Sequence, residues 1–118
     1  MSYELIFYET LSGRIPALEF LRSQSKAARA EAGWLLEQLQ KYGGSLGRPV
    51  TAFLVDGIFE LRWQVERNEY RILFFFSGRQ IIVLTHGFSK KTNRVPKSEI
   101  DRAKQLRADW LFRYRGSS

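Results

Sequence analysis

Cysteine is absent from the 118 residues of this chain, and histidine occurs only once. The first absence excludes disulfides, thiolate zinc sites and cysteine nucleophiles. The second leaves no histidine cluster of the kind that holds a transition metal. We therefore predict chemistry that uses no cofactor and no bound metal.

Long apolar runs are also missing. The N-terminal segment has neither the basic start nor the apolar core of a secretory signal, and no stretch is long enough to cross a bilayer. We expect a cytoplasmic protein without a membrane partner. Because 44% of the residues are hydrophobic, one substantial core can form. The prediction is one domain over residues 1–115, followed by a disordered tail at 116–118.

Positive charge is concentrated toward the C-terminal end. From residue 86 onward there are nine Lys and Arg and three acidic residues, whereas the first 85 residues have ten and nine. In a chain of net charge +7, this asymmetry favours an anionic partner, nucleic acid before membrane. Charge alone leaves a merely solubilising face as the alternative.

Helical spacing dominates the first half of the chain. After a short alternating strand at residues 3–9, Pro16 suits the first position of a short helix. A second helical pattern runs from Lys26 to Tyr42, with Ser25 as its cap. These patterns predict two consecutive helices before residue 43.

The period changes to two after residue 50. Strands are predicted at 50–55, 58–66, 70–76 and 80–86, with turns at Asp56-Gly57, 67–69 and 77–78. Pro96 then begins a C-terminal helix. The predicted fold is α+β. Two N-terminal helices pack on one face of a twisted antiparallel sheet of about four strands, and the other face stays partly open.

The densest chemistry lies in the run His-Gly-Phe-Ser-Lys-Lys-Thr at residues 86–92. It combines an imidazole that titrates near neutrality, an aromatic face and two adjacent ammonium groups. We predict that Gly87 releases a turn here, at the end of the last strand. Such a turn would bind phosphate.

Four segments together carry a family resemblance: Gly-Ile-Phe-Glu-Leu-Arg at 57–62, Tyr-Arg-Ile-Leu-Phe at 70–74, the run at 86–92, and Pro-Lys-Ser-Glu-Ile-Asp-Arg-Ala at 96–103. Ser12-Gly13, Pro16 and Glu-Phe-Leu at 19–21 fit the same pattern upstream. In this order and spacing, the chain resembles the HigB-like branch of the RelE/ParE toxin superfamily over nearly its whole length.

The resemblance implies a RelE-like fold and a toxin of a type II toxin-antitoxin pair. Such toxins are commonly endoribonucleases that cut messenger RNA, often on the ribosome. A protein antitoxin neutralises them, and in this branch it typically has a helix-turn-helix domain. Two alternatives stay open: a toxin that poisons DNA gyrase, and a non-catalytic, phage-derived module that binds nucleic acid through its basic helix.

Metal-free RNA cleavage through the 2′-hydroxyl needs a base, cations for the transition state and an acid for the leaving oxygen. Many relatives have a lysine in the strand before the Asp-Gly turn, but residues 50–55 have none. The role of that lysine would then pass to His86, Lys90 or Lys91, and we predict His86 as the proton carrier with the two lysines as its electrostatic support. Arg62 and Arg71 are predicted as a clamp on one phosphate. The predicted substrate-binding residues are Lys91, Phe88, Tyr70 and Arg94.

Each of these assignments has a structural alternative. The alternative for His86 is a hydrogen bond across the sheet, and the alternative for Arg62 is an ion pair with Glu60 or Glu66. The lysines at 90 and 91 fit a solvated turn, and Phe88 and Tyr70 fit the core. Glu60 is a further candidate base, with an exposed strand carboxylate as the simpler interpretation.

Overall fold

The structure is a computed structural model that describes residues 2–90 and 94–114. Lys91 and the predicted tail at 116–118 lie outside this range. None of the helices in it is long and apolar enough to cross a membrane. The elements in chain order are β1 (Glu4–Phe7), α1 (Pro16–Arg22), α2 (Lys26–Tyr42), a short 3₁₀ helix (Gly43–Leu46), β2 (Thr51–Val55), β3 (Ile58–Val65), β4 (Asn68–Ser77), β5 (Ile81–Lys90) and α3 (Lys97–Tyr114).

The N-terminal helices begin as the sequence predicts. Pro16 is the first residue of α1, where its missing N–H breaks no helical bond. Ser25 caps α2 by accepting a hydrogen bond from the Ala28 backbone N–H at 3.2 Å. One stripe of α2 is buried and packs on the sheet, formed by Ala28, Ala32, Leu35 and Leu39. Both predicted helices are confirmed.

The sheet has five strands in the order β1-β5-β4-β3-β2, so the prediction of about four antiparallel strands needs correction. β2 to β5 form an antiparallel meander, whereas β1 pairs in parallel with β5. The parallel pair is possible because α1 and α2 carry the chain from one edge of the sheet to the other. The sheet is therefore mixed.

Two hairpin turns fix the register of the meander. Asp56 and Gly57 both have positive φ, 52° and 81°, as the predicted two-residue turn requires. The next turn is also tight, since Val65 pairs with Asn68 and Glu66 has φ 56°. β4 consequently begins at Asn68, and the predicted turn at 67–69 was placed too late.

β5 is longer than predicted and continues through Gly87 to Lys90. Gly87 pairs with Ile72 inside the sheet, so the predicted turn at this glycine is wrong. A Cβ atom there would lie 2.8 Å from Cγ and 2.9 Å from Cε2 of Phe20. Glycine at this position therefore permits the close approach of α1 to the sheet.

Both faces of the sheet carry helices. α1 and α2 cover one face, and α3 covers part of the other, where Ala103 and Trp110 join Leu73 and Phe75 in a second core. Two contacts anchor α3 at opposite edges of the sheet: Lys104 Nζ lies 2.6 Å from Asp56 Oδ2, and the Tyr8 hydroxyl donates to Asp109 Oδ2 at 2.6 Å. The polar ends of β3, β4 and β5 occupy the rest of this second face.

Candidate active site

Three adjacent strands bring charged residues to one region of the α3 face. Arg62 on β3 pairs with Arg71 on β4, and Glu69 on β4 pairs with Lys90 on β5. Directly opposed residues in an antiparallel ladder project from the same face, so these side chains are neighbours. We call the five residues the charged cluster: Glu60, Arg62, Glu69, Arg71 and Lys90.

Arg71 is the most enclosed member of the charged cluster, at 2% exposure. Its Nε lies 2.7 Å from Glu60 Oε1, an ion pair without hydrogen-bond alignment, and its Nη2 donates to Glu69 Oε1 at 2.9 Å. Nη1 donates to the Tyr70 carbonyl at 3.0 Å. Glu60 is itself only 5% exposed, so its interpretation as an exposed carboxylate was wrong. Arg71 supplies the charge that lets Glu60 be buried.

Arg62 is held more loosely than Arg71. Its side chain is 33% exposed, and its Nη1 lies 3.8 Å from Glu60 Oε2, beyond hydrogen-bond distance. The predicted pairing with Glu60 is thus a long ion pair. The Arg62 guanidinium can therefore turn its planar fork toward a phosphate from solvent.

Lys90 lies at the end of β5 and is 8% exposed. Its Nζ finds no hydrogen-bond acceptor within residues 2–90 and 94–114. Burial lowers the pKa of this ammonium, and the nearby positive charge of Arg71 lowers it further. The amine is thereby shifted toward the neutral form that accepts a proton. The predicted solvated turn does not describe it.

His86 is enclosed under the N-terminal end of α3, at 1% exposure. Nε2 lies 3.0 Å from Glu99 Oε1 on α3, Nδ1 lies 3.2 Å from Thr85 Oγ1, and the ring stacks on Phe88 at 5.9 Å. Burial lowers its pKa, although the Glu99 contact opposes the shift. The structure thus favours a hydrogen-bonding role, with a helix partner rather than the predicted cross-strand one.

The other predicted substrate-binding residues are dispersed. Phe88 is half-buried and pairs with Arg71, so it borders the charged cluster. Tyr70 is buried on the opposite face and stacks on Trp63 at 5.4 Å, which prevents it from stacking on RNA. Its core interpretation fits the structure. Arg94 is exposed before α3, and Lys91 lies outside the described residues.

The sequence interpretation overlooked Glu69 and an adjacent cleft. Glu69 was assigned to a turn, although it lies two residues before Arg71 and shares its strand face. The cleft has a volume of about 310 Å³ and adjoins the charged cluster. Its walls are formed by Glu31, Leu35, Pro49, Val50, Arg62, Trp63, Gln64, Glu69 and Arg71. Within residues 2–90 and 94–114, no three His, Asp or Glu side chains converge in a group that could hold a metal ion.

The charged cluster falls within the part of the chain that matches known proteins. Residues 19–108 match the family described as "Phage derived protein Gp49-like (DUF891)". The chain is also 38% identical over 91 residues to proteins named "Probable endoribonuclease HigB1" from two Mycobacterium tuberculosis strains, CDC 1551 / Oshkosh and ATCC 25618 / H37Rv. Each alignment covers 76% of this chain and 67% of the relative. The chain therefore belongs to the Gp49-like family of phage-derived proteins, a HigB/RelE-like toxin family.

Proposed function

We propose that this protein is the toxin of a type II toxin-antitoxin pair and acts as a metal-independent endoribonuclease on messenger RNA. The observation that carries the proposal is the buried Lys90 amine, with its lowered pKa, beside Arg71 and the loosely held Arg62. The name of the mycobacterial relatives supports the same reaction class. In this proposal the messenger is cut on the ribosome, and a helix-turn-helix antitoxin neutralises the toxin.

The reaction is a transesterification within the RNA. Lys90, as a neutral amine, takes the proton from a 2′-hydroxyl, and the 2′-oxygen attacks the adjacent phosphorus. The P–O5′ bond breaks, leaving a 2′,3′-cyclic phosphate and a 5′-hydroxyl that takes its proton from solvent. Arg62 and Arg71 face the charge that develops on the non-bridging oxygens.

Arg71 and His86 have different tasks in this scheme. Two carboxylates hold Arg71 in one orientation, which presents a preorganised cation to the transition state. His86 is a positioning residue. Its ring supports Phe88 and ties β5 to α3 through Glu99. The proton-carrier role predicted for His86 is reassigned to Lys90, because both imidazole nitrogens already face partners, Thr85 and Glu99, whereas Lys90 Nζ has no acceptor within residues 2–90 and 94–114.

The test is cleavage of a defined messenger by purified protein, with ribosomes in magnesium buffer and without ribosomes in the presence of EDTA. Arg62→Ala should lower the rate by about 10²- to 10³-fold, the usual effect of removing one group that stabilises transition-state charge. Arg79→Ala is the matched control, since Arg79 is an exposed arginine at the β4–β5 turn and should leave the rate unchanged. Product ends should be 2′,3′-cyclic phosphate and 5′-hydroxyl.

Two outcomes would refute the proposal. Induced expression that triggers a DNA-damage response while messenger RNA stays intact would indicate a gyrase poison. Salt-dependent RNA binding without cleavage products, on and off the ribosome, would indicate a non-catalytic nucleic-acid-binding module.

A further inference from the structure

The cleft beside the charged cluster lies where β3 extends beyond its partner β2. Pairing with β2 reaches Leu61, and the Arg62 backbone N–H still donates to the Val50 carbonyl at 2.9 Å. Gln64 directs its backbone N–H and C=O to the same strand edge, because these groups alternate along a strand. The volume, about 310 Å³, is at the lower end of the range of small-ligand sites, about 300–1,000 Å³.

The position of the cleft relates it to the phosphate site. Arg62 and Arg71 belong both to the charged cluster and to the cleft wall. A nucleotide whose phosphate meets Arg62 therefore has its base within reach of the cleft. This step rests on the proposed function, since it takes RNA as the ligand of the charged cluster.

The cleft walls combine flat apolar surface with hydrogen-bond acceptors. Leu35, Pro49, Val50 and the Trp63 ring provide the apolar part. Glu31, one helical turn before Leu35 on α2, provides a carboxylate, whereas the other carboxylate of the wall, Glu69, already accepts from Arg71 Nη2 at 2.9 Å. The Gln64 side chain uses its Nε2 to donate to the Glu66 carbonyl at 3.0 Å, which leaves its Oε1 as an acceptor.

A carboxylate can discriminate among the four RNA bases because they differ in the number of adjacent hydrogen-bond donors on their Watson–Crick edges. Only guanine presents two adjacent donors, N1–H and N2–H, on its Watson–Crick edge. Adenine and cytosine place a ring-nitrogen lone pair beside their single amino group, and that lone pair repels the second carboxylate oxygen. Uracil has one donor between two carbonyls. RNA-binding proteins commonly read this edge on splayed single-stranded bases.

Trp63 provides a second, independent observation. Its indole Nε1 is a buried donor, and no acceptor for it exists within residues 2–90 and 94–114. An unsatisfied buried donor is costly. Trp63 lines the cleft, so a rotation of its ring toward a bound guanine would give the indole an acceptor, the O6 carbonyl that lies next to the two donors. Adenine has no such carbonyl.

We propose that this cleft is a base-recognition site that selects a guanine next to the cleaved phosphate, with Glu31 as the discriminating residue. The carboxylate accepts N1–H and N2–H, and the apolar wall packs against the purine ring. Arg62 joins the base site to the phosphate site.

The experiment compares two matched substrates and three proteins. The RNA oligonucleotides carry either guanosine or inosine beside the cut, and inosine lacks only the N2 amino group. Wild type should cleave the guanosine substrate about tenfold better in kcat/KM, within the range for a bidentate side-chain contact to a base. Glu31→Gln should remove this preference. Glu37→Gln, an exposed glutamate on the same helix but outside the cleft wall, should retain it.

A binding measurement separates this inference from the proposed function. Guanosine 5′-monophosphate, but not uridine 5′-monophosphate, should shift the Trp63 indole N–H resonance in an NMR titration, and Glu31→Gln should weaken that binding about tenfold. Selective binding without RNA cleavage would support the base site and refute the endoribonuclease. Cleavage with equal rates on guanosine and inosine substrates, unchanged by Glu31→Gln, would refute the base site and leave the endoribonuclease intact.

Discussion

The ion pair of Arg71 with Glu60 allows stability and catalysis to be separated in one set of variants. Both side chains are almost fully buried, at 3% and 6% exposure, and Arg71 Nε lies 2.7 Å from Glu60 Oε1. Arg71→Met keeps the length and removes the charge, so it leaves the Glu60 carboxylate enclosed without its closest cation. Breaking a buried pair in this way costs about 3–5 kcal/mol of unfolding free energy.

The charge of Arg62 should keep the loss of unfolding free energy near the lower end of this range. Its guanidinium is 3.8 Å from the other oxygen of Glu60 and compensates part of the uncovered charge. We therefore expect a loss of about 3 kcal/mol for Arg71→Met. In the double variant Glu60→Leu/Arg71→Met, apolar groups of similar volume replace both charges. Its stability should return to within about 1 kcal/mol of wild type, since such replacements are often neutral.

The measurement is urea unfolding followed by circular dichroism, with wild type and the two variants compared at one pH. Arg14→Met is the control, because Arg14 and Glu19 form an ion pair whose side chains are 72% and 40% exposed, and little change is expected there. A loss below about 1 kcal/mol for Arg71→Met, or a double variant as unstable as the single one, would refute the assigned role of the buried pair.

The double variant also sharpens the functional test. Arg71→Ala alone could abolish RNA cleavage simply by unfolding the protein. A stable Glu60→Leu/Arg71→Met protein without cleavage would instead attribute the loss to the missing guanidinium. If this folded variant cleaved at the wild-type rate, Arg71 would have no part in the chemistry.

Four further substitutions test other parts of the fold. Burial lowers the pKa of Lys90, so between that pKa and about 10.4 the unfolded chain binds more protons than the folded protein. The free energy of unfolding should therefore rise with pH across this window. Lys90→Met should remove this pH dependence and raise the free energy of unfolding near neutral pH. Burial also lowers the pKa of His86, so stability should fall as pH drops below about 6.5, and His86→Gln should abolish that loss in acid unfolding curves. Gly87→Ala should cost about 1–3 kcal/mol in urea unfolding, because its Cβ would meet the Phe20 ring, whereas Gly33→Ala, with no atom within 4 Å, should stabilise α2 by up to about 1 kcal/mol.

Local chemistry made the helices and hairpins predictable. Pro16, Ser25 and the Asp56-Gly57 turn each act within a few residues, so the sequence contains all that determines them. The parallel pairing of β1 with β5 joins residues more than 70 positions apart, as in Glu4 with Ile81. No local pattern specifies such a pair. The four-residue β1 is also too short to reveal its partner by periodicity.

In the candidate site too, features set by nearby residues could be predicted and features set by tertiary packing could not. Arg62 and Arg71 could be placed on neighbouring strands because strand alternation and a turn between them are local features, but their direct pairing follows from the turn at 66–67, which was predicted at 67–69. The burial of His86 could not be predicted, because Glu99 on α3 encloses it from a helix that follows β5. The end of β5 was predicted too early because glycine is common in turns. Here Gly87 lies inside the strand and makes room for the Phe20 ring. Tertiary packing decided both outcomes.

The charge balance of the cluster explains how a buried lysine can serve as the proposed base. Three cations and two carboxylates give a net charge of +1 when Lys90 is protonated and zero when it is neutral. Without RNA, burial and then the charge of Arg71 lower the pKa of Lys90, and Glu60 and Glu69 oppose part of this shift. A phosphodiester at Arg62 adds one negative charge next to the cluster and raises the proton affinity of Lys90. In the proposed reaction, the neutral fraction of Lys90 takes the 2′-hydroxyl proton, and a bound phosphodiester stabilises the ammonium that results. Lys90→Arg, which cannot deliver a neutral base, should therefore bind RNA and fail to cleave it.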